Sequence, residues 1–127
     1  MTSKELKERT QKFAIEIIEF TESFPKTKAG DILGKQLLRS ACSVGANYRS
    51  ACRAQSYSHF ISKLNIVEEE SGESLYWLEL IKKTKMSCGE RIDSLMKEAD
   101  ELTAIFTAAR KTSSFNRYKN KSSSKQK

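Results

Sequence analysis

Residues 32–80, ILGKQLLRSACSVGANYRSACRAQSYSHFISKLNIVEEESGESLYWLEL, decide the fold of this chain. The stretch reads as two long helices that meet near Gln55 and Ser56, because apolar residues recur at three and four residues on both sides of that point. In the first of them, over about 27–54, the inward residues are Leu33, Leu37, Ala41, Val44, Tyr48 and Ala51. In the second, over about 58–85, they are Phe60, Leu64, Val67, Ser71, Leu75, Leu78 and Ile81. Each helix therefore has one apolar side to bury against its neighbours.

Two further helices flank this pair. Thr2 and Glu5 have the spacing of a capping box, and an apolar stripe follows as far as about Glu22. Ser87 and Glu90 repeat that spacing ahead of a last apolar seam. The residues of this seam are Ile92, Leu95, Ala99, Leu102, Phe106 and Ala109. Since no run alternates with period two, the sequence predicts an all-α protein, an antiparallel up-down four-helix bundle.

The end of the chain has a different composition. From Ser113 the sequence SSFNRYKNKSSSKQK is rich in Ser and Lys and has too little apolar content to pack. We predict a four-helix bundle domain over residues 1–112 and a basic disordered tail over residues 113–127.

Composition and motifs narrow the classes of function. No apolar run approaches the ~20 residues of a membrane helix, and no secretory signal is recognisable, so we expect a cytoplasmic protein that does not contact membranes. The three cysteines form no CxxC pair and His59 is the one histidine, so neither a metal site nor a cofactor is expected. The chain has no phosphate-binding glycine loop and no nucleophile elbow, which argues against an enzyme.

The second helix carries its basic residues on one side. At about 100° per residue, five cations fall within an arc of about 80° opposite the apolar side. They are Lys28, Lys35, Arg39, Arg49 and Arg53. Asp31 is the one acid between residues 28 and 55. This face predicts contact with nucleic acid or another polyanion. The alternative is a face that meets solvent, or that pairs within the subunit or across an interface with Glu68, Glu69, Glu70 and Glu73.

The tail supplies more cations, interleaved with Phe115 and Tyr118. Mobile cations make salt-dependent contacts with phosphates, and aromatic rings stack on unpaired bases. A tail that serves only solubility is the alternative. The candidate nucleic-acid contacts in the tail are Arg117, Lys119 and Lys121.

Two other groups of residues are candidates for helix packing or for an interface. A polar seam beside the core face of the second helix consists of Gln36, Ser40, Ser43 and Asn47. Such a seam is more typical of a contact that fixes helix register than of a catalytic site. On the third helix, Tyr76 and Trp77 widen the apolar surface beyond one stripe and lie close to Glu73. That width indicates burial on more than one side, as in a bundle that also assembles with copies of itself.

Several of these residues occur together in a known family. The segments are Phe24-Pro25-Lys26, Gln36-Leu37, Arg39-Ser40, SVGAN at 43–47 and YWLEL at 76–80. In this respect the chain, over roughly residues 5–110, resembles the four-helix bundle proteins encoded in 23S rRNA intervening sequences, also called the S23 ribosomal protein family. It is similar as well to the accessory variability determinant of diversity-generating retroelements.

The resemblance implies a homopentameric barrel with a positively charged surface. For the retroelement relatives it also implies binding of a reverse transcriptase and of nucleic acid, without enzymatic activity. Where relatives commonly carry an acid after the seam, this chain has Ser50, which makes its second helix more basic.

Two functions therefore compete. The first is a non-enzymatic oligomer that binds RNA or DNA through the second helix and the tail. The second is a protein-interaction scaffold, for example an adaptor for a reverse transcriptase, whose basic face meets an acidic protein surface.

Overall fold

Four helices make up the structure, a computed structural model that describes the backbone of residues 1–125 and the side chains of residues 1–119. They are α1 (Ser3–Glu22), α2 (Lys28–Cys52), α3 (Tyr57–Lys83) and α4 (Glu90–Lys125). The predicted all-α four-helix fold is confirmed, and α2 and α3 begin within one residue of the predicted positions.

The first three helices begin at hydroxyl caps. Thr2, Thr27 and Ser56 each accept a hydrogen bond from the backbone N–H three residues on, at 3.0 to 3.1 Å. Each bond satisfies an N–H group that the helix itself leaves without a partner, which is worth about 1 kcal/mol. The helix starts are thus determined by local sequence.

The start of α4 differs from the prediction. The capping-box spacing places the cap at Ser87, but α4 begins at Glu90, and its first turn is closed by Asp93 N–H donating to Gly89 C=O at 3.3 Å. Gly89 has a φ of 111°, a conformation that side chains rarely adopt. The chain uses this glycine to turn into α4, so Ser87 lies before the helix.

The core lies along the inward stripes of all four helices. Phe13 and Ile17 of α1, Leu37 of α2 and Leu78 of α3 are almost completely buried, as is Phe106 of α4. α1 packs closely against α2 at Gly45, where an added Cβ would lie 3.2 Å from Thr10 Oγ1. α2 and α4 meet through the rings of Tyr48 and Phe106, whose centroids are 5.3 Å apart.

The predicted boundary at Ser113 is not a break in the structure. α4 continues through it to Lys125 as one helix, where the composition predicted disorder. Extending an existing helix fixes one residue per new hydrogen bond, whereas starting a helix is unfavourable, and Lys and Arg are good helix formers. The last two residues of the predicted tail, Gln126 and Lys127, lie outside the described residues.

Candidate nucleic-acid interface

The outer side of α2 carries four of the five predicted cations, and the fifth, Arg53, is the cap residue directly after the helix. Because Leu37, Val44 and Ala51 turn the opposite side of the helix into the core, these cations are exposed. We call this surface the α2 cation face. It consists of Lys28, Lys35, Arg39, Arg49 and Arg53.

Two of these cations already have carboxylate partners. Arg39 bridges to α3, with one guanidinium nitrogen 3.1 Å from Glu70 Oε1 and the other 2.9 Å from Glu73 Oε1. The hydrogen bonds that Arg39 donates to Glu73 and, to a smaller extent, to Glu70 raise the pKa of Arg39 above its usual value. Lys35 Nζ lies 3.2 Å from Asp31 Oδ2, one turn away on the same helix. For Arg39, the alternative of pairing with the acids of α3 therefore holds within the subunit.

The other three cations are available to a ligand. Lys28, Arg49 and Arg53 are exposed and form no ion pair with any side chain that the structure describes. Between Arg39 and Arg49, the exposed positions of the face are the small residues Cys42 and Ala46. A polyanion can therefore approach the α2 backbone closely in this region.

Most of the four neighbouring glutamates of α3 form ion pairs within the subunit. These glutamates are Glu68, Glu69, Glu70 and Glu73. Both carboxylate oxygens of Glu68 accept from Arg110 Nε at 2.9 Å, which ties α3 to α4. The hydrogen bond from Arg110 holds the pKa of Glu68 below its usual value. Glu70 and Glu73 hold Arg39, so Glu69 is the one member with no ion pair among the described residues.

The polar seam of α2 lies partly against α3. Ser40 is fully buried, and its Oγ is 3.0 Å from the Oγ of the equally buried Ser74. Asn47 Nδ2 donates to Ser43 C=O at 2.9 Å, on its own helix, and Gln36 is half-buried. The seam thus brings a hydroxyl pair into the core, where a shift along the helix axis would separate the two oxygens.

Tyr76 and Trp77 form a partly open aromatic pair on α3. Their ring centroids are 5.1 Å apart in an edge-on arrangement, and Tyr76 is 54% exposed. Trp77 Nε1 is buried without a hydrogen-bond acceptor among the described residues. A large aromatic ring open to solvent beside Glu73 and Glu79 is a feature that a second protein surface could cover.

Comparison with known proteins agrees with this architecture. The model of the family described as 23S rRNA-intervening sequence protein matches residues 3–108. The chain belongs to this family. A protein of unknown function from the S23 ribosomal protein family of Bacteroides thetaiotaomicron VPI-5482, solved at 1.70 Å resolution, is similar in structure, with a TM-score of 0.80 and 33% identity. The match covers 87% of this chain and 99% of that chain. No curated protein matches the chain.

The family match ends before α4 does. Residues 109–125, which we call the α4 extension, lie beyond the matched region. Of its predicted contacts, Arg117 is half-buried and Lys119 is exposed, whereas the side chain of Lys121 lies outside the described residues. Phe115 and Tyr118 are 64% and 71% exposed.

Arg9, which sequence patterns do not identify as special, connects α1 to α4. Its Nε donates to Glu98 at 2.9 Å, and a terminal nitrogen lies 2.7 Å from Glu101. The hydrogen bond that Arg9 donates to Glu98 raises the pKa of Arg9 above its usual value. A sequence signal for this contact is weak, because the partners are about ninety positions apart.

Two kinds of site are absent from the part of the chain that the structure describes. No group of three or more His, Cys, Asp or Glu side chains there is arranged to hold a metal ion. In the same part of the chain, no helix has the length and apolarity needed to cross a membrane.

Proposed function

We propose that this protein is a non-enzymatic, self-assembling helical bundle of the cytoplasm that binds nucleic acid through the α2 cation face and the basic end of α4. The family is described as 23S rRNA-intervening sequence protein, which makes RNA the first polyanion to test.

One observation carries the proposal. Lys28, Arg49 and Arg53 stay without carboxylate partners among the described side chains, although the chain has acids that neutralise Arg39, Arg9 and Arg110 elsewhere. A surface that serves only solubility usually mixes charges of both signs. Cations kept on one narrow arc with Asp31 as the one acid among them are instead suited to a repeating line of phosphates.

The test removes these three cations without disturbing the core. Replacing Lys28, Arg49 and Arg53 with Gln should weaken binding of a labelled RNA and a labelled DNA duplex in fluorescence anisotropy. For every phosphate that the variant no longer neutralises, the slope of log K against log salt should become shallower by about 0.9 on duplex DNA and about 0.7 on single strands.

A matched variant controls for net charge. Lys4, Lys83 and Lys97 are exposed, form no ion pair with a described side chain and do not belong to the α2 cation face. Their replacement with Gln removes the same charge and should change affinity much less. An equal decrease in affinity in both variants, or no decrease in either, would refute a binding role for the face.

Self-assembly is supported by apolar side chains on the outside of the bundle. Ile15 and Ile18 of α1 and Ile32 of α2 are between 42% and 50% exposed, and Tyr76 of α3 is exposed further. Residues of this kind gain about 25 cal/mol per Å² of apolar surface when a second copy covers them. We expect light scattering to give about five times the chain mass of 14.4 kDa, as the family resemblance implies. A monomer at micromolar concentration would contradict this.

A second candidate function is favoured by the Arg39 contact. On the α2 cation face, Arg39 already binds two carboxylates, those of Glu70 and Glu73. An acidic protein surface, for example on a reverse transcriptase, could bind the other cations of the face in the same way. Purified reverse transcriptase that stays bound after nuclease treatment, and is released by the Lys28, Arg49 and Arg53 variant, would favour this scaffold function.

A further inference from the structure

The α4 extension combines cations and open aromatic rings. From Leu102 to Lys119 the chain has no acid. Within this stretch Tyr118 and Phe115 are more exposed than any other aromatic side chain that the structure describes. Burying such rings is favourable, so leaving two of them open on one turn of a helix needs a reason.

The two rings and two of the cations share one side of the helix. At about 100° per residue, Lys111, Phe115, Tyr118 and Lys119 fall within an arc of about 100°. Phe115 and Tyr118 are three residues apart, so their rings are neighbours on the helix surface. Successive bases of an extended strand can therefore meet successive rings, with ammonium groups on either side for the phosphates.

A shallow cavity adjoins this side. It has a volume of about 280 Å³ and lies between α3 and the extension, lined by Ile61, Ser114, Arg117 and Tyr118. A guanidinium and a phenol ring thus border the same opening. The ion pair between Arg110 and Glu68 ties the start of the extension to α3.

The chemistry of this surface favours unpaired bases. In a duplex the base faces are stacked on one another, so only phosphates and groove edges remain for a protein. In a single strand each base offers a face that an aromatic ring can cover, which is worth about 1–3 kcal/mol per base. The surface is less suited to packing against a second helix, because two apolar positions flanked by lysines do not make a continuous apolar seam.

We propose that the α4 extension is a binding element for single-stranded nucleic acid, in which Phe115 and Tyr118 stack on unpaired bases while Lys111 and Lys119 contact phosphates and Arg117 lines the adjoining cavity. This deepens the proposed function and rests on it, since it names the class of nucleic acid and assigns the bases to a different helix from the α2 cation face.

The experiment uses the full chain with Phe115→Leu and Tyr118→Leu combined. Leucine keeps an apolar side chain and a high helix propensity but cannot stack. The probes are a labelled oligo(U), a labelled oligo(dT) and a labelled duplex, each of about 20 units. We expect single-strand affinity to fall by at least about tenfold and duplex affinity by less than about twofold. Tyr118→Trp, which preserves stacking, should bind single strands as tightly as the wild type.

Tyr76→Leu is the matched control. It removes an aromatic ring of similar exposure that lies among acids on α3, and at a protein concentration where light scattering gives it the oligomeric state of the wild type it should leave single-strand affinity unchanged. An equal decrease in affinity for single strands and duplexes in the double variant would overturn the stacking. So would unchanged single-strand affinity in a protein whose binding still depends on Arg49 and Arg53, and in that case the proposed function would stand. No binding of any probe by the wild type would end both proposals. A smaller oligomer in the double variant, with single-strand binding intact, would overturn the stacking as well, because a second copy would then be what covers the rings.

Discussion

Releasing Arg39 from its glutamates should strengthen binding of nucleic acid. Glu70 and Glu73 hold this arginine at 3.1 and 2.9 Å, although its side chain is 47% exposed. Changing both glutamates to Gln keeps their size and removes their charge. The α2 cation face would then present a fourth unpaired cation beside Lys28, Arg49 and Arg53.

The size of the effect follows from the exposure of the ion pair. An ion pair this open contributes at most about 1 kcal/mol to stability, so the variant should fold normally. A comparable interaction of Arg39 with a phosphate would raise affinity by about fivefold at low salt. Neutralising one more phosphate also steepens the salt slope by about 0.9 on duplex DNA. Between about 50 and 200 mM salt, the affinity of the variant should fall by about threefold more than that of the wild type.

The assay is fluorescence anisotropy across a salt series, with a second variant as control. Glu8→Gln combined with Glu90→Gln gives the same increase in net charge, and neither glutamate pairs with a cation among the described side chains. We expect this control to bind slightly more tightly than the wild type without a steeper slope. If both variants behave alike, the effect is one of net charge, and the argument that Arg39 belongs to a binding face fails.

Three further predictions concern stability. Gly72→Ala should raise the free energy of unfolding by about 0.5–1 kcal/mol, since its Cβ would meet only Thr103 at 3.9 Å. Gly30→Ala should lower the free energy of unfolding, because its Cβ would lie 2.2 Å from Pro25 C=O. Urea titration of both variants distinguishes the two signs. Glu68, whose pKa is lowered by Arg110, stabilises the fold above its unfolded pKa and loses that contribution as pH falls through the folded pKa. The stability difference between wild type and Glu68→Gln should therefore shrink from about pH 6 to about pH 3, and a constant difference would refute the ion pair. Ser74→Ala should cost about 1 kcal/mol in thermal unfolding by removing a partner of Ser40, and an unchanged stability would mean that this hydroxyl pair does not stabilise the bundle.

The parts of the fold that follow from local sequence were predictable. The periodic apolar residues of α2 and α3 fix which sides are buried, and the hydroxyl caps at Thr2 and Thr27 fix where helices begin. The start of α4 was not predictable from local sequence, because the capping-box spacing at Ser87 competes with the backbone freedom of Gly89. A capping signal gives the possibility of a bond, and the turn before it decides whether the bond can form.

The position of the candidate site was predictable, but which of its cations form ion pairs was not. Helical geometry alone shows that the cations of α2 share one exposed arc. Which of them are neutralised depends on contacts between helices, such as that of Arg39 with residues 31 and 34 positions away, and no local pattern encodes these. The end of α4 shows a second limit, since composition describes an isolated segment, whereas Ser113 and its neighbours extend a helix that the bundle has already formed.

Because α4 is continuous, the number of residues between the bundle and the extension determines which way the side chains of the extension face. No loop separates the buried Phe106 from the exposed Phe115, so both rings lie on one continuous helix. One residue inserted between them would turn the extension by about 100° and advance it by only about 1.5 Å. Insertion of seven residues, close to two full turns, would nearly restore its direction about 10 Å further out. The orientation of Phe115 and Tyr118 relative to the bundle is therefore sensitive to single insertions and tolerant of whole turns.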